Sequence, residues 1–190
     1  MTLMPTAYST YTPEQFLEVE DAHRFELIDG NLVERNMGSL SSFVSGKFIT
    51  RLNSHAESGA GGVVTTPDGG LRIFGPENPS WVRFPDVAYY AKGTFPNDCP
   101  PEGWSEEIPA LVVEAVSPND RARDIEDKVQ MWLKAGVPTV WVAHPEMRVV
   151  VVRKPGNTMT FLQGEQSVTD ERLPGFAVAA SDFFPLLPDE

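Results

Sequence analysis

The stretch Pro109-Ala110-Leu111-Val112-Val113-Glu114-Ala115-Val116-Ser117-Pro118 decides how this chain is read. An almost unbroken apolar run of this length, bounded by prolines, suits a short strand buried on both faces. One carboxylate sits near its end. An ionised glutamate in such a strand is costly unless something pairs with it. Left alone it shifts its pKa or calls for a metal. Glu114 is therefore either an awkward structural residue or a ligand.

The nearest stretch of the same kind is Trp81 to Ala91, which reads as another strand. Phe84, Asp86, Ala88 and Tyr90 share one face; Val87, Tyr89 and Ala91 share the other. Asp86 and Glu114 are thus single carboxylates among apolar neighbours. Side by side in a sheet, they would converge on one hard divalent cation, which takes a few carboxylate oxygens and keeps several waters. Pro67-Asp68 and Pro188-Asp189 repeat the dipeptide of Pro85-Asp86, but the first runs into Gly69-Gly70 as a turn and the second reads as a frayed tail.

Beyond Glu114, Ser117-Pro118-Asn119-Asp120 introduces a helix from about Arg121 to Ala135, closed by Gly136. Ala122, Ile125, Val129, Trp132 and Leu133 form its apolar stripe. Lys128 falls about 90° from the centre of that stripe, at roughly 100° per residue. Its stem can follow the core edge while its ammonium reaches a site at the strand ends. An ordinary surface pair with Asp124, four residues earlier, is the other reading of the same spacing.

The remaining elements fit around these. Thr12-Pro13-Glu14-Gln15 starts a short helix with a capping box. Arg24 to Glu34 is a hairpin turning at Asp29-Gly30, with Glu26 on the face opposite Phe25 and Leu27. Ser39 to about Ser58 is a helix with Leu40, Phe43, Val44, Phe48 and Leu52 on its apolar face. Val63 to Thr66 and Leu71 to Phe74 read as strands around Pro67 to Gly70. Residues 93–107 read as a long surface loop, a functional rim or a disordered flap. Thr139 to Ala143 and Arg148 to Arg153 are strands, short strands follow to residue 180, and Asp182 to Leu187 packs down as a terminal apolar segment. Residues 1–11 form a loose lead-in to a single domain over 1–190.

The chain has 190 residues, a net charge of -12 and one cysteine, Cys99, so no internal disulfide forms. No apolar run reaches the roughly 18 residues of a spanning helix, and the N-terminus lacks the layout of a signal peptide. No membrane association and a cytoplasmic location are expected. The acidic balance argues against strong nonspecific affinity for nucleic acid, which depends on Lys and Arg replacing counterions at phosphates. His23, His55 and His144 lack ligand spacing and read as surface or packing residues. Trp81, Trp104, Trp132 and Trp141 read as core or loop anchors. Neither a nucleophile elbow nor a phosphate-binding loop is present.

Taken together, Pro85-Asp86-Val87-Ala88, Leu111 to Asp120, Asp124 to Lys128, Arg24 to Gly30, Ala135-Gly136-Val137-Pro138 and Val140-Trp141-Val142 resemble the PD-(D/E)XK nuclease superfamily, and within it the Uma2 family of restriction-endonuclease-like proteins. The resemblance implies an α/β fold of restriction endonuclease type, with a central mixed sheet flanked by helices and a metal site at the sheet edge. It implies Asp86 and Glu114 as ligands of Mg²⁺ or Mn²⁺, Lys128 as the cation near the attacking water, and Glu26 as a further acid. The superfamily's usual lysine would fall at Val116, and Lys128 fits a relocation to the helix. His144-Pro145 stands where relatives show Asp-Pro, and Ser39 to Ser42 lacks a histidine often found there. The implied activity is metal-dependent hydrolysis of DNA phosphodiesters, with a homodimer to cut both strands. Arg121 and Arg123 are either phosphate contacts or a solvated helix face. Two other readings are a non-catalytic interaction module on the same fold and a hydrolase of RNA or another phosphodiester.

Overall fold

The computed structural model describes residues 10–36 and 38–186. A short helix α1 (Pro13–Leu17) leads into a hairpin of β1 (Phe25–Ile28) and β2 (Asn31–Glu34). Asp29 and Gly30 both take positive φ at its turn, as a two-residue hairpin loop requires. Helix α2 (Ser39–His55) precedes β3 (Val63–Thr65), β4 (Val87–Tyr90) and β5 (Leu111–Ala115). Helix α3 (Ala122–Lys134) then crosses to β6 (Val140–His144), β7 (Val149–Lys154) and β8 (Thr158–Gln163). A small pair, β9 (Ser167–Val168) and β10 (Val178–Ala179), closes the chain.

The main sheet runs in the order β3-β4-β5-β6-β7-β8. Only β5 and β6 are parallel, and α3 is the crossover that parallel neighbours need. The fold is a mixed α/β sandwich with one principal helix on each face. Along β5 the side chains alternate: Leu111, Val113 and Ala115 join α2's Val44, Phe48 and Leu52 in one core, while Val112 joins α3's Val129 and Trp132 in the other. Glu114 shares the parity of Val112 and so enters the α3 face. The Phe48 and Phe183 rings stack at 3.8 Å, which packs the terminal segment against α2.

Four sequence expectations change. The stretch Trp81 to Ala91 is not one strand. Val82 and Arg83 make isolated bridges to Leu27 and Leu71, and β4 begins only after Pro85, which has no N–H for a ladder. Leu71 to Phe74 is likewise no strand, since Leu71 alone bridges to Arg83 and Ser105. Residues 93–107 are neither a flap nor a rim of the site. Phe95 is buried beside Tyr90 with ring centroids 4.6 Å apart, and Trp104 stacks on Phe16 and donates to the Pro13 carbonyl at 2.9 Å. On α2, Phe43 faces outward and Ser41 and Ser45 take buried places beside Val44 and Phe48. The Pro188-Asp189 tail and residue 187 lie outside the described residues.

Candidate active site

Antiparallel pairing of β4 with β5 sets Val87 opposite Val113. This places Asp86, one residue before β4, beside the end of β5. Its Oδ2 accepts the Ala115 amide at 2.7 Å. Two turns into α3, Lys128 reaches across the sheet edge, and its ammonium lies 2.8 Å from Glu114 Oε2 and 3.8 Å from Glu26 Oε1. It does not pair with Asp124 among the described residues. Glu26 comes from β1, which Leu27 ties to Val82 just ahead of Pro85. Four separate elements thus bring Glu26, Asp86, Glu114 and Lys128 to the wall of one cleft of about 470 Å³.

Several partners were not foreseen. The buried Trp132 indole donates to Glu114 Oε1 at 2.6 Å, so both oxygens of Glu114 are held. Trp132 belongs to the apolar stripe and reads as pure core in the sequence; only its position four residues after Lys128, on the same helix face, hinted at a polar role. Arg83 pairs with Glu26 at 3.0 Å, and the Phe84 amide donates to Glu26 at 3.2 Å. Arg35 also lines the cleft, fixed by hydrogen bonds to the His23 and Pro67 carbonyls at 2.9 Å each. Arg121 and Arg123 do not line the cleft. Both are exposed, and Arg123 pairs with Asp127 on the helix surface. None of the three histidines lines the cleft.

The electrostatics follow from burial and crowding. Burial drives the Glu114 carboxyl up to about 7, with Asp86 adding to the rise against relief from Lys128 and Trp132. Burial also raises Asp86, although Lys128 and the Ala115 amide oppose the shift. Glu26 goes the other way: its burial is outweighed by Lys128 and Arg83, and its carboxyl falls below the ordinary range. For Lys128, desolvation is overcome by the surrounding Glu114, Glu26 and Asp86, which hold the ammonium well above its usual value. The group therefore carries an excess of negative charge that its own cations do not fully balance.

Among the described residues, no three His, Cys, Asp or Glu side chains form a ready-made metal cage. The site still suits one kind of ion. Asp86 and Glu114 offer hard oxygens from neighbouring strand ends, and burial pushes both toward protonation, a cost that a bound cation would relieve. Such a pair fits a magnesium-like cation that keeps most of its waters, and not a zinc-type cage.

The family model of Uma2, described as "Putative restriction endonuclease", matches residues 13–181. The chain belongs to the Uma2 family. A solved structure from Anabaena variabilis ATCC 29413, described as a putative nuclease belonging to DUF820, superposes with a TM-score of 0.73 at 17% identity. The match covers 91% of this chain and 97% of that one. At this identity it establishes a shared fold of the restriction endonuclease-like type. No curated protein matches the chain. Among the described residues, no helix is long and apolar enough to cross a membrane. For this Uma2 chain, fold and family agree with what the motifs implied.

Proposed function

We propose that the chain is a divalent-metal-dependent endonuclease that hydrolyses DNA phosphodiesters at the Asp86–Glu114–Lys128 cluster. The observation that carries this reading is the convergence of Lys128 on Glu114 and Glu26, next to Asp86, inside one cleft. Membership of a family described as restriction endonucleases supports it. Asp86 and Glu114 would hold Mg²⁺ or Mn²⁺. A cation there lowers the pKa of a bound water and offsets charge on the phosphate.

The protein's own groups have separable roles. Lys128 is kept protonated by three carboxylates, so it acts as a fixed positive charge beside the reacting phosphate, not as a base. Glu26 lies 3.8 Å from that ammonium and is itself held by Arg83. Trp132 fixes the Glu114 carboxylate through Oε1. Hydrolysis adds water across one P–O bond and leaves a phosphate end and a hydroxyl end.

The test is cleavage of labelled DNA in Mg²⁺ or Mn²⁺, with a chelator control, by the parent, D86A, E114A and K128A. Each substitution is expected to lower the rate by about a hundredfold or more, the scale of losing one charge-stabilising group. Full metal-dependent cleavage by D86A or E114A would refute the assignment. One observation favours a second reading, a non-catalytic interaction module. Glu114 and Glu26 are both satisfied by protein donors, so the cluster is complete without metal. Calorimetric titration of Mg²⁺ with DNA present separates the two. Saturable binding lost in the D86A/E114A double variant supports the enzyme, and its absence supports the module.

A further inference from the structure

We infer that the cleft receives an unpaired nucleotide of a single DNA strand, with its base stacked on Trp81. The inference rests on the phosphodiesterase reading above and narrows its substrate. The cleft's size is the first argument. About 470 Å³ lies within the roughly 300–1,000 Å³ of pockets that enclose small molecules. That is room for one nucleotide inside the cleft.

The charges are the second argument. A duplex backbone is held by Lys and Arg side chains that neutralise successive phosphates. Here Arg83 is committed to Glu26 at 3.0 Å and Lys128 to Glu114 at 2.8 Å. Arg35 donates through Nη1 to two backbone carbonyls, which hold it in place without neutralising its charge. Glu34, Asp120, Asp124 and Asp127 line the same cleft. Arg121, exposed at the head of α3, is the nearby cation without a partner among the described residues. Two arginines without carboxylate partners among the described residues, Arg35 and Arg121, beside four carboxylates make no track for a duplex.

The apolar wall is the third. Trp81, Ile28, Val33 and Met131 line the cleft together with the carboxylates, and Val33 is 42% exposed. The Trp81 indole is fixed at its polar end by donating to Asp29 Oδ1 at 2.8 Å. Phe74 packs 5.6 Å from its ring, and the Arg83 guanidinium sits over one face, 5.9 Å from the ring centre, leaving stacking to the opposite face. Through Arg83 the ring is linked directly to Glu26 and the cluster. A ring already immobilised loses little freedom when a base stacks on it. Stacking also needs no basic groove and tolerates any base, which is how single strands are bound. It reconciles a nuclease with a net charge of -12.

The experiment compares one labelled oligonucleotide, single-stranded and annealed, with the parent, W81A and W81F in Mg²⁺. Cleavage rates and binding by fluorescence anisotropy are both recorded. Single strands are expected to bind and react about tenfold better than the duplex, and W81A to weaken single-strand binding about tenfold while W81F retains most of it, as loss of one stacked base implies. W81F keeps an aromatic core contact and so controls for misfolding. Cleavage of the duplex as fast as the single strand overturns the inference and leaves the nuclease reading standing. No cleavage of either, with single-strand binding still dependent on Trp81, removes the nuclease reading and keeps the nucleotide site. Equal binding by parent, W81A and W81F overturns the stacking role.

Discussion

Glu114 occupies a strand position whose neighbours Val112, Val140 and Val142 are wholly buried valines, and its carboxyl is driven up to about 7 as a result. Because the folded pKa lies above the ordinary 4.5, the protonated form is the one that favours folding. The contribution is fully present below about pH 4.5 and is lost as pH rises through about 7, on the order of 3 kcal/mol at about 1.4 kcal/mol per unit. In metal-free buffer, the stability difference between parent and E114Q should fall by that order across this window in urea melts at stepped pH. The amide of E114Q faces the Lys128 or Trp132 donor at a cost that does not vary with pH, so the slope isolates the carboxyl. A flat difference would show that Glu114 titrates normally. Lys128 gives the complementary case. Removing it in K128M strands two buried carboxylates and should cost about 3 kcal/mol at pH 8, and less near pH 5, where Glu114 holds a proton. At this scale the sequence revealed the acids and the lysine, because a carboxylate in an apolar strand is conspicuous. Trp132 and Arg83 were hidden, because an aromatic in an apolar stripe and an arginine beside Trp81 have ordinary reasons to be there. W132F removes the donor to Glu114 Oε1 while keeping most of the ring. It should weaken Mg²⁺ binding by about tenfold in calorimetry, the scale on which supporting residues around a metal site act, whereas W141F, whose indole N–H has no partner, should leave it unchanged.

Between elements, α3 is the piece that both covers the sheet and supplies Lys128, so its seating controls the site. Val129 and Trp132 bury it, and Glu126 fixes it laterally through a forked pair with Arg153 of β7 at 2.7 and 2.8 Å. Those hydrogen bonds, with one from Gln130, lower the Glu126 carboxyl to about 2. Its folded pKa is depressed, so the pair stabilises above the ordinary 4.5 and is lost as pH falls toward 2. Glu126 is about half exposed, and solvent screening reduces the contribution to about 1 kcal/mol. E126Q should therefore lower the urea midpoint at neutral pH and converge with the parent near pH 2. The elements themselves were legible wherever local chemistry was unambiguous. The Thr12–Gln15 capping box is present with both reciprocal bonds, the Asp29-Gly30 turn forms, and α3 runs within a residue of its expected bounds. Where the reading failed, a proline or a tertiary contact intervened. Alternating hydrophobicity continued through Pro85, but the ladder did not, and that break is what frees Asp86 from the strand interior to reach the end of β5. Residues 93–107 do face solvent, as their Pro, Gly and acid imply, but their order comes from two aromatics, the buried Phe95 and the partly buried Trp104.

For the whole molecule, the question is how a chain of net charge -12 meets a polyanion. Of the positive groups at the cleft, Arg83 and Lys128 are spent internally on Glu26 and Glu114, so long-range attraction is weak and affinity must come chiefly from stacking and bound cations. This has a measurable signature. Binding of a protein that neutralises Z phosphates of a single strand falls with salt at a slope of about -0.7Z. With one or two phosphates met, by Arg121 and Arg35, quadrupling the sodium chloride concentration at constant Mg²⁺ should weaken single-strand binding only about three- to sevenfold. A protein with a basic groove of several contacts would lose roughly a thousandfold over the same range. Anisotropy titrations of a labelled single strand at four salt concentrations give the slope directly. A steep slope would mean that a basic surface away from this cleft carries the nucleic acid, and R121A would then leave it nearly unchanged. A shallow slope that flattens further in R121A would assign that phosphate contact to the head of α3. It would also explain why the overall charge misleads. The -12 is summed over the whole chain, whereas recognition depends on a few groups at one sheet edge, whose charges partly compensate one another before any ligand arrives.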